Sequence, residues 1–495
     1  MNDMFADRGR LTSSAVTLAV VLLGVFAVAM SIAGTGVALP RIGADLHASG
    51  AALQWVVAAY NLALSAFTLV CGSLSDLIGR RRMFVITTTL FAGGALVCAV
   101  AEHIWLLDAA RAVAGIGAGG VMASGGAILA ATFGGAGRTR AFAAMGTTGG
   151  AGVVVGPFLA GWLVTGLGWR ASFLTFAVVG VMIMLGAIFV AESRSADRPR
   201  VDWPGVVTFV AGLGLVMFGF IQSPQGEWGG AIGLVAGLLL IVVFVFRENR
   251  TAHPVLELSL VRNARFMGWC LGTVSTSVGF IGILVYLPIY FQGANRASAE
   301  SAGLTMLMLT VPMLLVPMLG GALVNRGVSA RGLMTLSLLM VAAGNAWLTV
   351  LHPGMGIEEL LGPLVVIGVG MGISFGITDA QAMNQVEPDR VGMAAGFLNT
   401  LRNGGEALVI AVFGAVLTAL VQARVGTGEL ANRVTAGDLA GPNRDFLAEQ
   451  FTAAWRITLW SVAGICAVAA VVVRVLLGKS RRQVAPDREE IAAAS

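Results

Sequence analysis

The sequence predicts an all-α membrane protein of fourteen spans with both termini cytoplasmic, arranged as two six-helix bundles plus two inserted transmembrane helices. Three observations lead there: fourteen long apolar runs divide the chain, the composition suits lipid, and landmarks recur at one spacing in the two halves. A helix needs roughly 20 apolar residues to cross about 30 Å of hydrocarbon, because unpaired backbone groups are too costly in lipid. With 57% hydrophobic and 12% charged residues and a mean hydropathy of +0.85, a soluble 495-residue chain could not hide its apolar surface.

Taken in order, the expected spans are 15–39, 53–74, 83–101, 105–132, 143–165, 171–191, 204–222, 230–246, 267–291, 303–324, 333–351, 361–382, 397–421 and 457–477. The first run is too long for a signal-peptide core and lacks a convincing cleavage site, so it stays as the first helix. Orientation follows from the cations, which short cytoplasmic loops retain. With both termini inside, 21 of the 31 Lys and Arg fall in cytoplasmic segments, Arg80 to Arg82, Arg138, Arg140, Arg247 and Lys479 among them. Seven fall outside, and Arg111, Arg402 and Arg474 fall within spans, so the opposite orientation would invert the bias. All ten tryptophans, from Trp55 to Trp460, lie near span ends, where an amphipathic ring meets the headgroups.

The net charge of +5 does not point to nucleic acid, because the arginines are spread among loops. Cys71, Cys98, Cys270 and Cys466 sit in apolar spans without metal-ligand spacing and read as free packing thiols. No metal or cofactor is expected. An enzyme is not expected either, since no His cluster, P-loop or nucleophile constellation occurs.

An internal repeat organises the chain. Leu39-Pro40 closes the first span and Leu287-Pro288 the ninth, 248 residues later; Gly72-Ser73-Leu74 closes the second and Gly321-Ala322-Leu323 the tenth, at an offset of 249. Equal offsets at equivalent helix ends suggest duplication. The expected units are an N-terminal bundle over residues 1–202, two inserted helices and a linker over 203–262, and a C-terminal bundle with a cytoplasmic tail over 263–495. Paired halves of this kind characterise transporters that rock around a midplane site.

The segment Gly72-Ser73-Leu74-Ser75-Asp76-Leu77-Ile78-Gly79-Arg80-Arg81-Arg82 is similar to the loop pattern G-x-L-a-D-r-x-G-r-[RK]-[RK]. On it the chain resembles the major facilitator superfamily, specifically its fourteen-span drug:proton antiporter branch, over nearly its whole length. The glycines permit a tight turn between helix ends, and Asp76 can face a helix N-terminus whose partial positive charge favours a carboxylate. Arg80 and Arg81 can hold inner helix ends or anionic headgroups. An ordinary positive-inside loop would account for the arginines and not for the Gly72, Asp76, Gly79 spacing.

On span five, Gly152-Val153-Val154-Val155-Gly156-Pro157-Phe158-Leu159-Ala160-Gly161 resembles the antiporter motif G-x-x-x-G-P-x-x-G-G, with Ala160 in place of one glycine. Small residues let helices approach, and Pro157 removes a donor and bends the helix. Generic small-residue packing is the competing reading. Export rather than import rests largely on this motif. Leu106 to Gly115, with the intramembrane Arg111, resembles the family's fourth-span pattern, and Trp169-Arg170 and Gln54-Trp55 also fit.

Ionisable residues inside a bilayer are functional candidates by default. They are Asp108, Arg111, Asp379, Arg402 and Glu406, with Glu406 deepest, roughly 15 Å into span thirteen at 1.5 Å per residue. The resemblance implies proton coupling at acids on that span. Two fates are open: burial favours the neutral acid and proton exchange, whereas Arg402, one turn away, favours a fixed carboxylate. The switching role is the expectation, with Asp379 as a secondary candidate near a helix end. Arg111 is neutralised by Asp108 three residues before it or takes part in substrate or proton handling. Tyr60, Asn61, Ser275, Thr276 and Asn399 are candidate cavity polar groups.

The first span departs from the resemblance: many members of the family carry an acid in the pattern L-D-x-T-I-V-N-V-A-L-P, where this chain has Ser31. A cavity so poor in carboxylates suits a neutral, zwitterionic or weakly anionic amphiphile better than a dication. The expected protein is a proton-coupled exporter of small amphipathic compounds in the plasma or bacterial inner membrane, working as a monomer by alternating access. A lipid or cell-envelope precursor transporter on the same scaffold is the alternative, and a non-transporting sensor the remote one. The loop before the last span, carrying Glu429, Arg433, Asp438 and Arg444, reads as an external cover without evident chemistry.

Overall fold

Long apolar runs fold here as long helices. The computed structural model describes residues 2–194, 202–222, 228–251, 258–386, 391–440 and 443–478. The first six helices are α1 (Asn2–Asp45), α2 (Gly50–Ile78), α3 (Arg80–Ala99), α4 (Ile104–Thr132), α5 (Gly135–Leu167) and α6 (Trp169–Ala187). Next come α7 (Trp203–Gln222) and α8 (Trp228–Glu248), then α9 (Ala264–Ala294), α10 (Ala299–Asn325), α11 (Ala330–Leu348), α12 (Glu358–Met383) and α13 (Val391–Val425). A short α14 (Gly428–Thr435) precedes α15 (Arg444–Gly478).

Among the described residues, thirteen helices are long and apolar enough to cross a membrane. The eleventh expected span is also a helix, α11, but Arg331 and Asn345 dilute its apolar run. It packs against α12 and α15, and the buried Asn345 amide donates to the carbonyls of Gly279 and Val341 at 3.0 and 2.8 Å.

Helix ends differ from expectation in two ways. Pro40 and Pro288 lie inside α1 and α9, which run on to Asp45 and Ala294. Proline loses only its own amide, so the turn beyond it can continue. The loop expected after span two shrinks to Gly79, at φ +115, which both ends α2 and starts α3. Glycine takes that conformation without the cost a Cβ would bring.

Helices α1 to α6 pack on one another, as do α9 to α13 with α15. Glycines set the closeness. A Cβ on Gly115 or Gly119 of α4 would strike the backbone of α2, while one on Gly117 or Gly120 would strike α3, so α4 is wedged between both. Helices α7 and α8 pair through Gly212, Gly219 and Gly237. Leu213 and Met217 of α7 join Ala58 of α2 and Ala407 and Ala411 of α13 in one apolar cluster, which places α7 along the seam between the two groups.

The groups meet at the end that carries Pro40. There Gln292 Nε2 donates to the Val37 carbonyl at 2.9 Å, Gln54 Nε2 to Thr418 Oγ1 at 3.4 Å, and the Glu300 amide to Thr165 Oγ1 at 3.2 Å. A Cβ on Gly36 would come within 2.7 Å of the Val285 carbonyl. Toward the opposite end, α5 exposes Phe142 and Thr147 and α10 exposes Leu315, Met318 and Leu319. The bundle is closed at the Pro40 end.

The stretch expected to be a featureless cover contains α14, which seats the fully buried Ala431 and Val434 over that closed end. Its Asn432 side chain abuts Gly50, and Thr418 donates to Thr435 Oγ1 at 3.4 Å.

Candidate functional site

Glu406 lies about midway along α13, half-buried, and accepts a 3.3 Å hydrogen bond from the hydroxyl of Ser277 on α9. Glycines flank it: Gly405 faces Val274 of α9 and Gly404 faces Leu213 of α7. Arg402, one turn earlier, turns away. Its Nη2 pairs with Asp379 of α12, its Nη1 donates to Asn399 Oδ1 at 3.5 Å, and its guanidinium carbon lies 5.0 Å from the Phe375 ring centroid. Among the described residues no ion pair joins Arg402 to Glu406. The Asp379 side chain is 59% exposed and that of Arg402 11%, so a compensated charge pair faces open space beside a half-buried acid.

The other half carries a second polar cluster. Arg111 is 1% exposed; its Nε donates to the Val56 carbonyl at 2.8 Å and its Nη1 to Ser31 Oγ at 3.0 Å. The guanidinium lies 3.9 Å over the Tyr60 ring, a cation–π contact. Asp108 is 8% exposed and, among the described residues, makes no hydrogen bond or salt bridge to Arg111. The Ser31 hydroxyl accepts from Arg111.

The remaining polar candidates divide. Asn61 is buried and donates back to the Val57 carbonyl at 2.9 Å, Thr276 bonds Ser374 at 3.1 Å, and the Ser275 carbonyl accepts from Cys466 at 3.4 Å. Asn399 is exposed.

The glycine motif of α5 lies on two interfaces. Gly152 and Gly156 press on α1, where a Cβ would come within 2.6 Å of the Phe26 carbonyl and 2.8 Å of the Met30 carbonyl. Gly161 presses on the backbone of Ala299 and Glu300, and the Pro157 carbonyl meets Gly303, so α5 and α10 touch across the two groups.

The Gly72 to Arg82 segment is helical on either side of Gly79. Gly72 faces Ala123 of α4, while the Asp76 side chain lies outside the described residues. The first turn of α3 is capped from a distance. Arg80 N donates to the Ser193 carbonyl at 2.9 Å, and the amides of Arg81 and Arg82 donate to the two Glu192 carboxylate oxygens at 3.1 and 3.3 Å. An anion at a helix N-terminus offsets the partial positive charge there.

Sequence reasoning missed Glu192, Ser277 and Phe375. None belongs to a pattern, and each acts through a partner on another element.

Compared with known proteins, residues 21–410 match the family model described as Major Facilitator Superfamily. The chain is 30% identical over 404 residues to "Drug efflux pump JefA" of Mycobacterium tuberculosis, covering 80% of this chain and 79% of that one. It is 30% identical over 408 residues to "Puromycin resistance protein pur8" of Streptomyces alboniger, covering 81% of each. Among solved structures, a bacterial homologue of the human lysosomal transporter Spinster superposes with a TM-score of 0.66 at 16% identity, covering 94% of this chain and 97% of that one.

Proposed function

The chain belongs to the Major Facilitator Superfamily, and from that premise we propose that it is a proton-coupled exporter of small amphipathic compounds in the fourteen-span drug:proton antiporter branch. It is a multi-pass cell-membrane protein. The drug-export reading is supported by relatives named a drug efflux pump and a puromycin resistance protein. In this reading both termini are cytoplasmic, residues 1–202 and 263–495 are the rocking units with 203–262 inserted between them, and the Pro40 end is external. The form described is then inward-facing.

One observation carries the coupling assignment. Glu406 is half-buried and hydrogen-bonded by Ser277, while Arg402 is engaged by Asp379. A carboxyl without a paired cation can take a proton in one facing state and lose it in the other. Arg402, Asp379 and Asn399 present a net-neutral polar wall, suited to a neutral, zwitterionic or weakly anionic amphiphile. Arg111, Asp108, Tyr60 and Asn61 belong to the other half of the same pathway. Gly72, Asp76, Gly79, Arg80 and Arg81 form the cytoplasmic gate segment, and Gly152, Gly156, Pro157 and Gly161 seal the outer leak path. The transport unit is one chain.

One proton crossing 100 mV supplies about 2.3 kcal/mol, enough for a roughly 50-fold gradient when net charge moves. The test is proteoliposome transport of a compound panel that includes puromycin and a lipid precursor, under an imposed pH gradient. Glu406→Gln should abolish accumulation against a gradient while the protein still folds. Unchanged uphill transport by the variant would remove Glu406 from the carrier role.

A further inference from the structure

Resting on the exporter reading above, we propose that Asp108 is a second proton-binding group, placed in the N-terminal half and read out through Arg111 by the helices that close the external end.

The placement of the carboxyl is unusual. Asp108 is 8% exposed, and among the described residues neither of its oxygens has a hydrogen-bond partner. A buried carboxylate with no donor is costly, whereas the neutral acid carries its own proton. One turn along the same face, Arg111 also holds an unused donor: its Nη2 is buried without a hydrogen-bond partner among the described residues. The two groups have complementary open positions that are not joined in this form. The titratable or charged groups about the carboxyl are Arg111 on its own helix, Cys98 on α3 and, beyond Arg111, Tyr60 on α2. From α1 comes the Ser31 hydroxyl and from α6 the Phe173 ring, 5.8 Å from the guanidinium.

Location gives the group a proton source. Asp108 lies one turn inside the start of α4, roughly 6 Å along the helix from Ile104, and the adjoining Glu102 and His103 are exposed. In the proposed orientation that end is external. A hydronium ion from the external water gives its proton to the Asp108 carboxylate, forming the carboxylic acid. Loss of the same proton to cytoplasmic water restores the carboxylate. With Arg111 beside it, the pair changes from a net charge of +1 to an ion pair of net zero.

Arg111 turns that change into motion. Its present bonds reach Val56 of α2 and Ser31 of α1. Two residues before Val56, Gln54 makes the bond to Thr418 across the halves, and six residues after Ser31, Val37 accepts from Gln292. For the Arg111 Nη2 to close on an ionised Asp108, the guanidinium must move toward α4, which strains its Nε and Nη1 bonds to α2 and α1 and loosens the helices that hold the external end shut. The protonated acid leaves them in place. An exporter needs this order: proton loss inside favours opening outside.

The test uses the full chain in lipid and no drug, so its failure is distinguishable from a failure of the export reading. Infrared difference spectra taken across a pH titration should contain a protonated-carboxyl C=O band that shifts when aspartate carboxyls are labelled with ¹³C. The band should vanish in Asp108→Asn and persist in Glu406→Gln. Absence of any label-sensitive protonated band, or its persistence in Asp108→Asn, overturns the assignment; the labelled wild type decides the first point even where the variant does not fold. In a Leu39→Cys background, maleimide labelling from the external side, above that of the parent, should rise several-fold with pH and lose that dependence with Asp108→Asn added. An unchanged pH dependence overturns the link to the external end.

Discussion

Arg402 and Asp379 form an ion pair across α13 and α12, although the acid nearest to Arg402 in helical register is Glu406. This pairing leaves Glu406 with the Ser277 hydroxyl and keeps a cation and the proposed proton carrier apart on one helix.

Asp379→Asn should therefore redirect Arg402 toward Glu406. An adjacent cation favours the carboxylate, so proton uptake would need more acid. The half-maximal pH of transport should move at least one unit downward, and adding Arg402→Gln should reverse the move. A pH profile identical to wild type in the single variant would contradict the redirection.

At the contact of α5 with α10 near the Pro40 end, a Cβ on Gly161 would collide with the Ala299 backbone. Overpacking costs about 1–3 kcal/mol, felt in the form closed at that end. Gly161→Ala should thus shift the population toward the open form by roughly tenfold, since about 1.4 kcal/mol is a factor of ten. External labelling of Leu39→Cys measures it, and unaltered labelling would mean that the contact does not hold the closed state.

Glu192 holds the first turn of α3 through the amides of Arg81 and Arg82. Replacing such a cap costs about 1 kcal/mol. Glu192→Ala should lower the melting temperature in detergent measurably, whereas Arg82→Ala should do little, because the Arg82 to Glu192 ion pair is long, 3.9 Å, and the Arg82 side chain is 67% exposed. Equal losses would indicate that the ion pair, and not the cap, carries the effect.

The loop that holds α14 makes a pH prediction. Burial pushes the Asp438 carboxyl up, but the Arg433 hydrogen bond, the Ala440 amide and the Arg433 charge outweigh it and hold the group below its usual value. A depressed carboxyl stabilises above its unfolded value, about 3.9, and that stability is lost as the pH falls through the folded value. Both side chains are about half exposed, so the contribution is at most about 0.5 kcal/mol. A spin label at Thr427→Cys should show constant α14 mobility from pH 8 to pH 5 and an increase only below about pH 4, absent in Asp438→Asn. A transition near neutral pH would point to another group.

Particular residues show how far the sequence was legible. The apolar runs gave the helices, and the antiporter-motif glycines lie at close helix contacts. The ends were harder, because Pro40 and Pro288 read as stops and are not. The partners were harder still. Pairing with Asp108 is one of two readings the sequence allows for Arg111, which bonds Ser31, 80 residues away; pairing with Arg402 is one of two fates open to Glu406, which bonds Ser277, 129 residues away.

By itself the sequence determined that this chain lives in a membrane as helices, and which few charges stand on its long apolar helices. Both are local sums: hydropathy and length accumulate over contiguous residues, and burial of a charge follows from the run that contains it. Only the tertiary structure decided which group each charge meets, because that depends on the rotation of each helix and on neighbours brought from elsewhere in the chain. A hydrogen bond is made or lost over less than an ångström, and no count along a sequence resolves that distance.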